Sequence, residues 1–345
     1  MTTRWRGTRV LMPSPAVRLS VAAVVAATLM GLALVVAIGV PVSDAVSAFI
    51  NGAWGSAYSV AASINRSLEF LTNVGGEGQI AIGGIVATAV SLYGGVATLP
   101  YGLPFLLPML GAALGGGLWA ALAGWLKARA GTNEVISTLL LSFIGVWLLY
   151  WSVQSEALLR QPMTNSATLP ESLEIPASTK LPLLTGNYAM PLNVGLPVTV
   201  VLVVLVALVL TKTTLGVRLR AVGLNPVAAR RAGIPVQRSI IMALAVAGAL
   251  GGLAGSLMLQ GDQYVLKAGF SSGYGFDGLV VGLLARGSVV GVVAGALLFG
   301  FMRSGGINME MSASVPSALV AIIQGLIIVT LAGAAFWIER KERGR

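Results

Sequence analysis

Long uncharged apolar runs alternate along this chain with short polar and basic segments. The first run covers residues 19–40 and follows Arg4, Arg6, Arg9 and Arg18. Further runs cover 79–99, 104–126, 135–153, 192–210, 240–259 and 318–337, and a broken one, 278–302, is split at Arg286-Gly287-Ser288. Runs of about 20 apolar residues match the hydrocarbon thickness of a bilayer. The first run exceeds the roughly 7–15 residues of a signal-peptide core and predicts an uncleaved first helix. The pattern as a whole predicts an all-α, polytopic transmembrane bundle of about eight spans, with Gly-interrupted broken helices.

Charge sets the expected orientation, because Lys and Arg gather on cytoplasmic segments. They cluster in the N-terminal arm, at Lys127 and Arg129, along 212–238, and in the tail at Arg340, Lys341, Arg343 and Arg345. The stretch 154–190 instead mixes Arg160 and Lys180 with Glu156, Glu171 and Glu174. The expected organisation is a cytoplasmic arm (1–18), a transmembrane domain (19–337) and a basic tail (338–345). Within the domain, 154–190 is an extracytoplasmic loop and 212–238 a cytoplasmic one, with both termini cytoplasmic. Parity then requires one more crossing between residues 40 and 79. The one candidate, 53–71, is interrupted by Asn65, Arg66 and Glu69. Such a segment must be shielded by other helices, enter the bilayer only partway, or reflect a shortened region.

Composition narrows the function classes. The 345 residues are 56% hydrophobic and 10% charged, where a soluble domain carries roughly 25% charged residues. Cysteine and histidine are absent, which excludes thiolate or imidazole metal centres, disulfides, and Cys or His catalysis. The net charge of +10 is accounted for by orientation and calls for no nucleic acid. The 44 glycines fall in pairs four apart, such as Gly111/Gly115, Gly248/Gly252, Gly251/Gly255 and Gly291/Gly295, as close helix packing requires. Two breaks share a Gly-x-acid-Gly pattern ahead of an apolar run, at Gly75–Gly78 and Gly275–Gly278. They suggest an internal repeat and a transport path between two halves. Glu77 and Asp277 either cap the helices that follow or border that path. Trp147, Tyr150 and Trp151 fit an interfacial aromatic belt or a stacking surface. Asp262, Lys267 and Arg286 stand near the second break.

The stretch after 192–210 is the most informative. Asn225-Pro226 sets a turn with Pro at the first helical position, residues 227–232 form about two short turns, and Gly233 stops them. The residues Gly223, Asn225, Pro226, Ala228, Ala229, Ala232, Gly233 and Ile234 resemble the coupling loop of ABC importer permeases of the ribose-type and branched-chain amino-acid permease family. Three further motifs resemble the nucleoside and simple-sugar branch of that family. They are Asn73-Val74-Gly75-Gly76-Glu77-Gly78-Gln79, the run from Asn133 to Thr138, and the run from Gly273 to Gly278.

The resemblance spans residues 73–337. It implies a permease subunit, not an enzyme, moving a nucleoside or simple sugar by alternating access in a bacterial-type cytoplasmic membrane. It implies that Gly223, Asn225, Pro226, Ala229, Arg230 and Gly233 couple to a cytoplasmic ABC ATPase. It places Asn73, Glu77, Gln79 and Asp277 on the substrate path. The implied partners also include a second permease subunit in a heterodimer and an extracytoplasmic substrate-binding lipoprotein. The sequence has no Gly-x4-Gly-Lys-Ser/Thr loop, so ATP and Mg are expected on the ATPase and no cofactor on this chain. Arg230 and Arg231 fit either an acidic ATPase surface or anionic headgroups. Two other readings stand beside the importer at this point: a proton-coupled secondary carrier using Glu77 or Asp277, and a non-transporting structural membrane subunit.

Overall fold

The computed structural model describes residues 15–72, 76–162, 169–285, 287–316, 318–323, 325–326 and 329–330. The described residues form an all-α fold, with isolated bridges but no strand among them. Contacts divide the chain into two units: residues 1–52 with 305–345, and residues 53–304.

The smaller unit contains α1 (Pro15–Ala37) and most of α2 (Val42–Ala53). Helix α1 begins at Pro15, inside the segment expected as a cytoplasmic arm, because proline is favoured in a first helical turn. Val35, Ala45, Ala48, Met309, Val315 and Leu319 form the unit's core. Asn308 Nδ2 donates to the Ala48 carbonyl at 2.6 Å. Of the apolar run 318–337, the described residues are helical, and the rest lies outside the described residues, as does the tail.

The larger unit opens with α3 (Ala57–Thr72), followed by α4 (Glu77–Tyr93), α5 (Leu103–Ala130) and α6 (Glu134–Gln154). Next come α7 (Gly195–Lys212), α8 (Thr214–Leu224), α9 (Pro226–Arg231) and α10 (Val236–Met258). Helix α11 (Tyr274–Ala285) and α12 (Val289–Ala313) complete the order, α12 belonging to this unit up to Ser304. Five helices among the described residues are long and apolar enough to cross a membrane: Leu103–Ala130, Glu134–Gln154, Gly195–Lys212, Val236–Gln263 and Val289–Ala313. Thr28–Ala37 and Tyr274–Leu283 are shorter apolar helical stretches, and much of the run 318–337 lies outside the described residues, so the described residues carry five of the about eight expected spans. At 1.5 Å per residue, α3, α4 and α11 reach roughly 24, 26 and 18 Å, less than a bilayer core of about 30 Å.

Helices α4, α5 and α10 form the centre, and glycine is what lets them meet. A Cβ on Gly252 would strike the Ala112 carbonyl oxygen, one on Gly116 the Gly248 carbonyl oxygen, and one on Gly255 the Ile80 carbonyl oxygen. These backbones touch where any side chain would hold them apart. The opposite face of α5 presents Leu106, Leu110, Leu114, Leu118 and Leu122, all exposed at a four-residue spacing. That stripe suits lipid, not water.

The half-polar segment that parity required is α3. It packs against α7, α10 and α11. Ser63 and Ser67 are buried and return their hydroxyls to the carbonyls of Ala53 and Ser63. Asn65 Nδ2 donates to the Pro191 carbonyl and Arg66 Nη1 to Ser304 Oγ. These contacts are what shielding by other helices requires.

The segment after α6 has no long helix, yet it is tied to the end of α10. Backbone bonds join Ser172 to Leu266, Ile175 to Tyr264 and Leu181 to Gln260. Gln260 is fully buried; its amide donates to the carbonyls of Phe105 and Thr179 and its oxygen accepts from Ser256 Oγ.

Candidate functional site

The two Gly-x-acid-Gly breaks, almost 200 residues apart in sequence, meet in space. Glu77 is the first residue of α4, and its carboxylate accepts from the backbone N–H of Gly273 at 3.2 Å and of Gly275 at 2.7 Å. The acid expected to cap its own helix therefore caps another one. Helix α4 starts at Gly76 without a side-chain cap, while the start of α11 is pressed against Glu77. The free N–H groups and the helix dipole there favour an anion. Gly275 is required at this contact, since its Cβ would lie 2.5 Å from Glu77 Oε2.

The junction packs against the middle part of α6. Gly78 packs on the backbone of Leu141 and Ser142, and Ser142 stands about 12 Å along a helix of about 31 Å. Glu77 and Gln79 are both buried, and Gln79 Oε1 has no hydrogen-bond partner among the described residues. Asp277, in the first turn of α11, is half-buried, within electrostatic reach of Arg303 and Glu77. Asn73, expected on the same path, lies outside the described residues, as does Arg286.

Sequence reasoning missed the aromatic side of this junction. Phe70 stacks on Tyr274 with ring centroids 4.9 Å apart, and Phe299 meets Phe70 edge-on at 5.8 Å. The Arg303 guanidinium lies 5.0 Å from the Tyr274 centroid and donates to the Ser272 carbonyl. No local pattern marked these residues, because the stack draws on α3, α11 and α12.

The second region is the loop between α7 and α10. Thr213 caps α8 by accepting from Gly216 N–H, and Asn225 Oδ1 accepts from both Val227 and Ala228 N–H at 3.0 Å. Pro226 starts α9, and Gly233 ends it at φ 79°, a conformation glycine adopts without a Cβ penalty. Ala229 faces inward and packs with Val222 and Val236. Gly223, Arg230 and Arg231 are exposed. So are Leu224 at 87% and Val227 at 62%, two apolar side chains on a basic loop that no motif singles out.

The remaining candidates sit apart from both regions. Asn133 caps α6 by accepting from Val135 N–H, and an ion pair between Lys127 and Glu134 spans the turn before it. That resemblance motif is thus a helix start here. Trp147 and Trp151 are exposed on the face of α6, as a lipid-facing belt would be. Among the described residues no cluster of acids could hold a metal ion.

Comparison with known proteins supports the family resemblance. Residues 53–332 match the family model for the branched-chain amino acid transport system / permease component. The guanosine ABC transporter permease protein NupP of Bacillus subtilis is 30% identical over 320 residues, covering 88% of this chain and 89% of that protein. The glucose ABC transporter permease protein TsgB13 of Haloferax volcanii is 32% identical over 279 residues, 77% of this chain and 70% of that one. The nucleoside ABC transporter permease protein NupB of Lactococcus lactis is 30% identical over 264 residues, 76% of this chain and 72% of that one. No solved structure matches. With this match across most of its length, on a bundle of apolar helices, the chain belongs to the permease-component family of ABC transporters: it is a multi-pass membrane transport subunit, not an enzyme.

Proposed function

We propose that this permease moves a nucleoside or a simple sugar inward, powered by ATP hydrolysis on a partner. Permeases of this family work with an ATPase and a solute-binding partner. Guanosine, nucleoside and glucose permeases among its relatives favour a neutral, hydroxyl-rich solute. The observation that carries the mechanism is the loop around α9. A short helix capped twice by Asn225 and pinned by Ala229 holds Leu224, Val227 and Arg230 outward. Such a rigid, exposed knob transmits a push from a moving ATPase into α8 and α10.

The ATPase binds ATP and Mg on the cytoplasmic side, where both termini of this chain also lie. A second, similar permease subunit completes the pore as a heterodimer, and an extracytoplasmic lipoprotein delivers the solute. ATP-driven closure of the motor shifts the helices between outward and inward states, which requires that ATP bind the two states unequally. Helix α11 is a natural moving part, since it is short, bounded by breaks, and joined to α4 through Glu77. A proton-coupled carrier would need a carboxylate free to exchange protons; both Glu77 oxygens are engaged by backbone N–H groups, which leaves Asp277 as that reading's candidate.

The test is reconstitution with ATPase, second permease and lipoprotein, followed by uptake of labelled guanosine and glucose. ATP-dependent uptake that disappears on replacing Asn225-Pro226, with the complex still assembled, supports the reading. Uptake driven by a proton gradient without ATPase overturns it.

A further inference from the structure

Helix α4 turns its small residues into the bundle and leaves one apolar stripe over. Gly83, Gly84, Ala87 and Thr88 are buried, whereas Ile82, Ile85, Val86 and Ala89 are only half-buried. Their spacing of i, i+3, i+4 and i+7 is that of a single helix face. With Leu148 and Trp151 of α6, the four wall a groove of about 710 Å³, within the roughly 300–1,000 Å³ of small-molecule sites. Helices α4 and α6 run the same way along it, since Gly78 touches Ser142 and Tyr93 reaches Leu158. The chain after α6 folds back over this end: Leu159 N–H donates to the Ser152 carbonyl at 3.0 Å, and Tyr93 Oη donates to the Leu158 carbonyl at 3.1 Å.

The walls offer little to a polar solute. Two residues of the groove carry hydroxyls, and both spend them within the chain. Ser152 Oγ donates to the Leu149 carbonyl at 2.8 Å, and Tyr93 is bonded to Leu158 as above. A hydroxyl-rich molecule would leave its water here without new bonds, which is costly. A hydrocarbon chain has no such bonds to lose. Tyr93 and Trp151 are exposed beside the groove, and Trp147 is exposed one turn before Trp151. Aromatic residues of this kind gather where lipid meets water.

Charge appears only at the end where both helices finish. Glu156 lines the groove there and is exposed. Arg160 Nη1 donates to the Gln154 carbonyl at 3.4 Å, which brings the guanidinium back to the last residue of α6, two positions before Glu156. An apolar slot topped by one anion and one cation complements an acyl chain beneath a zwitterionic headgroup. The ammonium of such a headgroup donates to a carboxylate and its phosphate accepts from a guanidinium, both as charge-assisted bonds.

We propose that the groove between α4 and α6 is a binding site for a phospholipid with a primary-ammonium headgroup, a phosphatidylethanolamine, one acyl chain lying along Ile82, Val86 and Ala89 and the headgroup meeting Glu156 and Arg160. This goes beyond the importer reading and needs only that the chain is a membrane subunit. An anionic glycerol headgroup lacks the cation that Glu156 calls for. A choline headgroup carries the charge but has no N–H to donate. The expected order of preference is therefore ethanolamine, then choline, then glycerol. On the expected orientation the site belongs to the outer leaflet. A chain seated there braces α4, the helix that begins at Glu77 and its junction with α11.

The experiment adds equimolar phosphatidylethanolamine, phosphatidylcholine and phosphatidylglycerol of identical acyl chains to the delipidated full-length chain in detergent, and reads retained lipid by native mass spectrometry. Phosphatidylethanolamine is expected to exceed phosphatidylglycerol by about two- to fivefold, the ratio that one ion pair at an exposed rim supports. Glu156→Gln, a change at an exposed position, is expected to bring that ratio to parity. Equal retention by wild type, or an unchanged ratio in the variant, overturns the proposal. A phosphatidylethanolamine with a photoreactive diazirine in its acyl chain locates the chain itself. Crosslinks are expected within residues 82–93 and 148–159 and are expected to disappear in Ala89→Trp, which fills the groove; crosslinks confined to other segments overturn the proposal. The native chain has no cysteine, so Ala89→Cys gives a single reporter of what covers the groove. Phosphatidylethanolamine alone is expected to slow its reaction with N-ethylmaleimide. Protection that needs the second permease subunit, and is indifferent to lipid, makes the groove a subunit interface and overturns the proposal.

Discussion

Glu77 shows how one side chain joins distant parts of the chain. Its carboxylate answers two N–H groups at the start of α11. Glu77→Ala leaves both without a partner, at about 1–3 kcal/mol for each buried group. Glu77→Gln keeps one accepting oxygen and is expected to lose less, and thermal melting of the detergent-solubilised chain ranks the two. The glycines give a second residue-level prediction. Gly252→Val drives a side chain into the Ala112 carbonyl and is expected to destabilise by about 1–3 kcal/mol, the usual cost of overpacking. A methyl group at Gly223 would meet nothing within 4 Å, and the position is near the end of α8, so Gly223→Ala is expected to stabilise by about 0.4–1 kcal/mol. Equal melting shifts for both would contradict this account of close packing. The four-residue spacing identified the helix faces that would pack closely. The partner of each face was hidden, since Gly252 meets Ala112 and Glu77 meets Gly275 across separations that no periodicity reports.

Among elements, α9 is the one most completely legible in the sequence. An Asn-Pro start and a Gly stop are local devices, and both appear where the residues predict them. Which side chains face outward was not legible, because six residues carry too little periodicity. Ala229 turns inward and Leu224 and Val227 turn out. Asn225→Ala removes a double cap worth about 0.5–2 kcal/mol and is expected to lower uptake per ATP hydrolysed more than it lowers complex assembly. Leu224→Ser with Val227→Ser is expected to weaken ATPase binding in pull-down while leaving the melting of the isolated permease unchanged. If binding persists, these two side chains are not the contact. Helix α3 gives the opposite lesson. Asn65 and Arg66 look costly in a membrane segment when read in sequence, and they are tolerated because Pro191 and Ser304 answer part of each group.

For the whole molecule, topology is the property to test. The loop at Gly186 and the loop at Gly223 are expected on opposite sides of the membrane. Gly186→Cys and Gly223→Cys, each the sole cysteine, should label oppositely with an impermeant maleimide in intact cells and inverted vesicles. Labelling from the same side would overturn the assigned orientation. The sequence by itself determined the membrane class, the order of the motifs, the caps and the small-residue faces. Those features follow from solvent preference and from bonds within a few residues. Only the tertiary structure decided that the two glycine breaks meet, that Glu77 serves the far helix, and that α3 is sheltered. Each depends on groups 100 or more residues apart whose pairing is fixed by packing and by the need to satisfy buried polar atoms, and no local pattern encodes that choice.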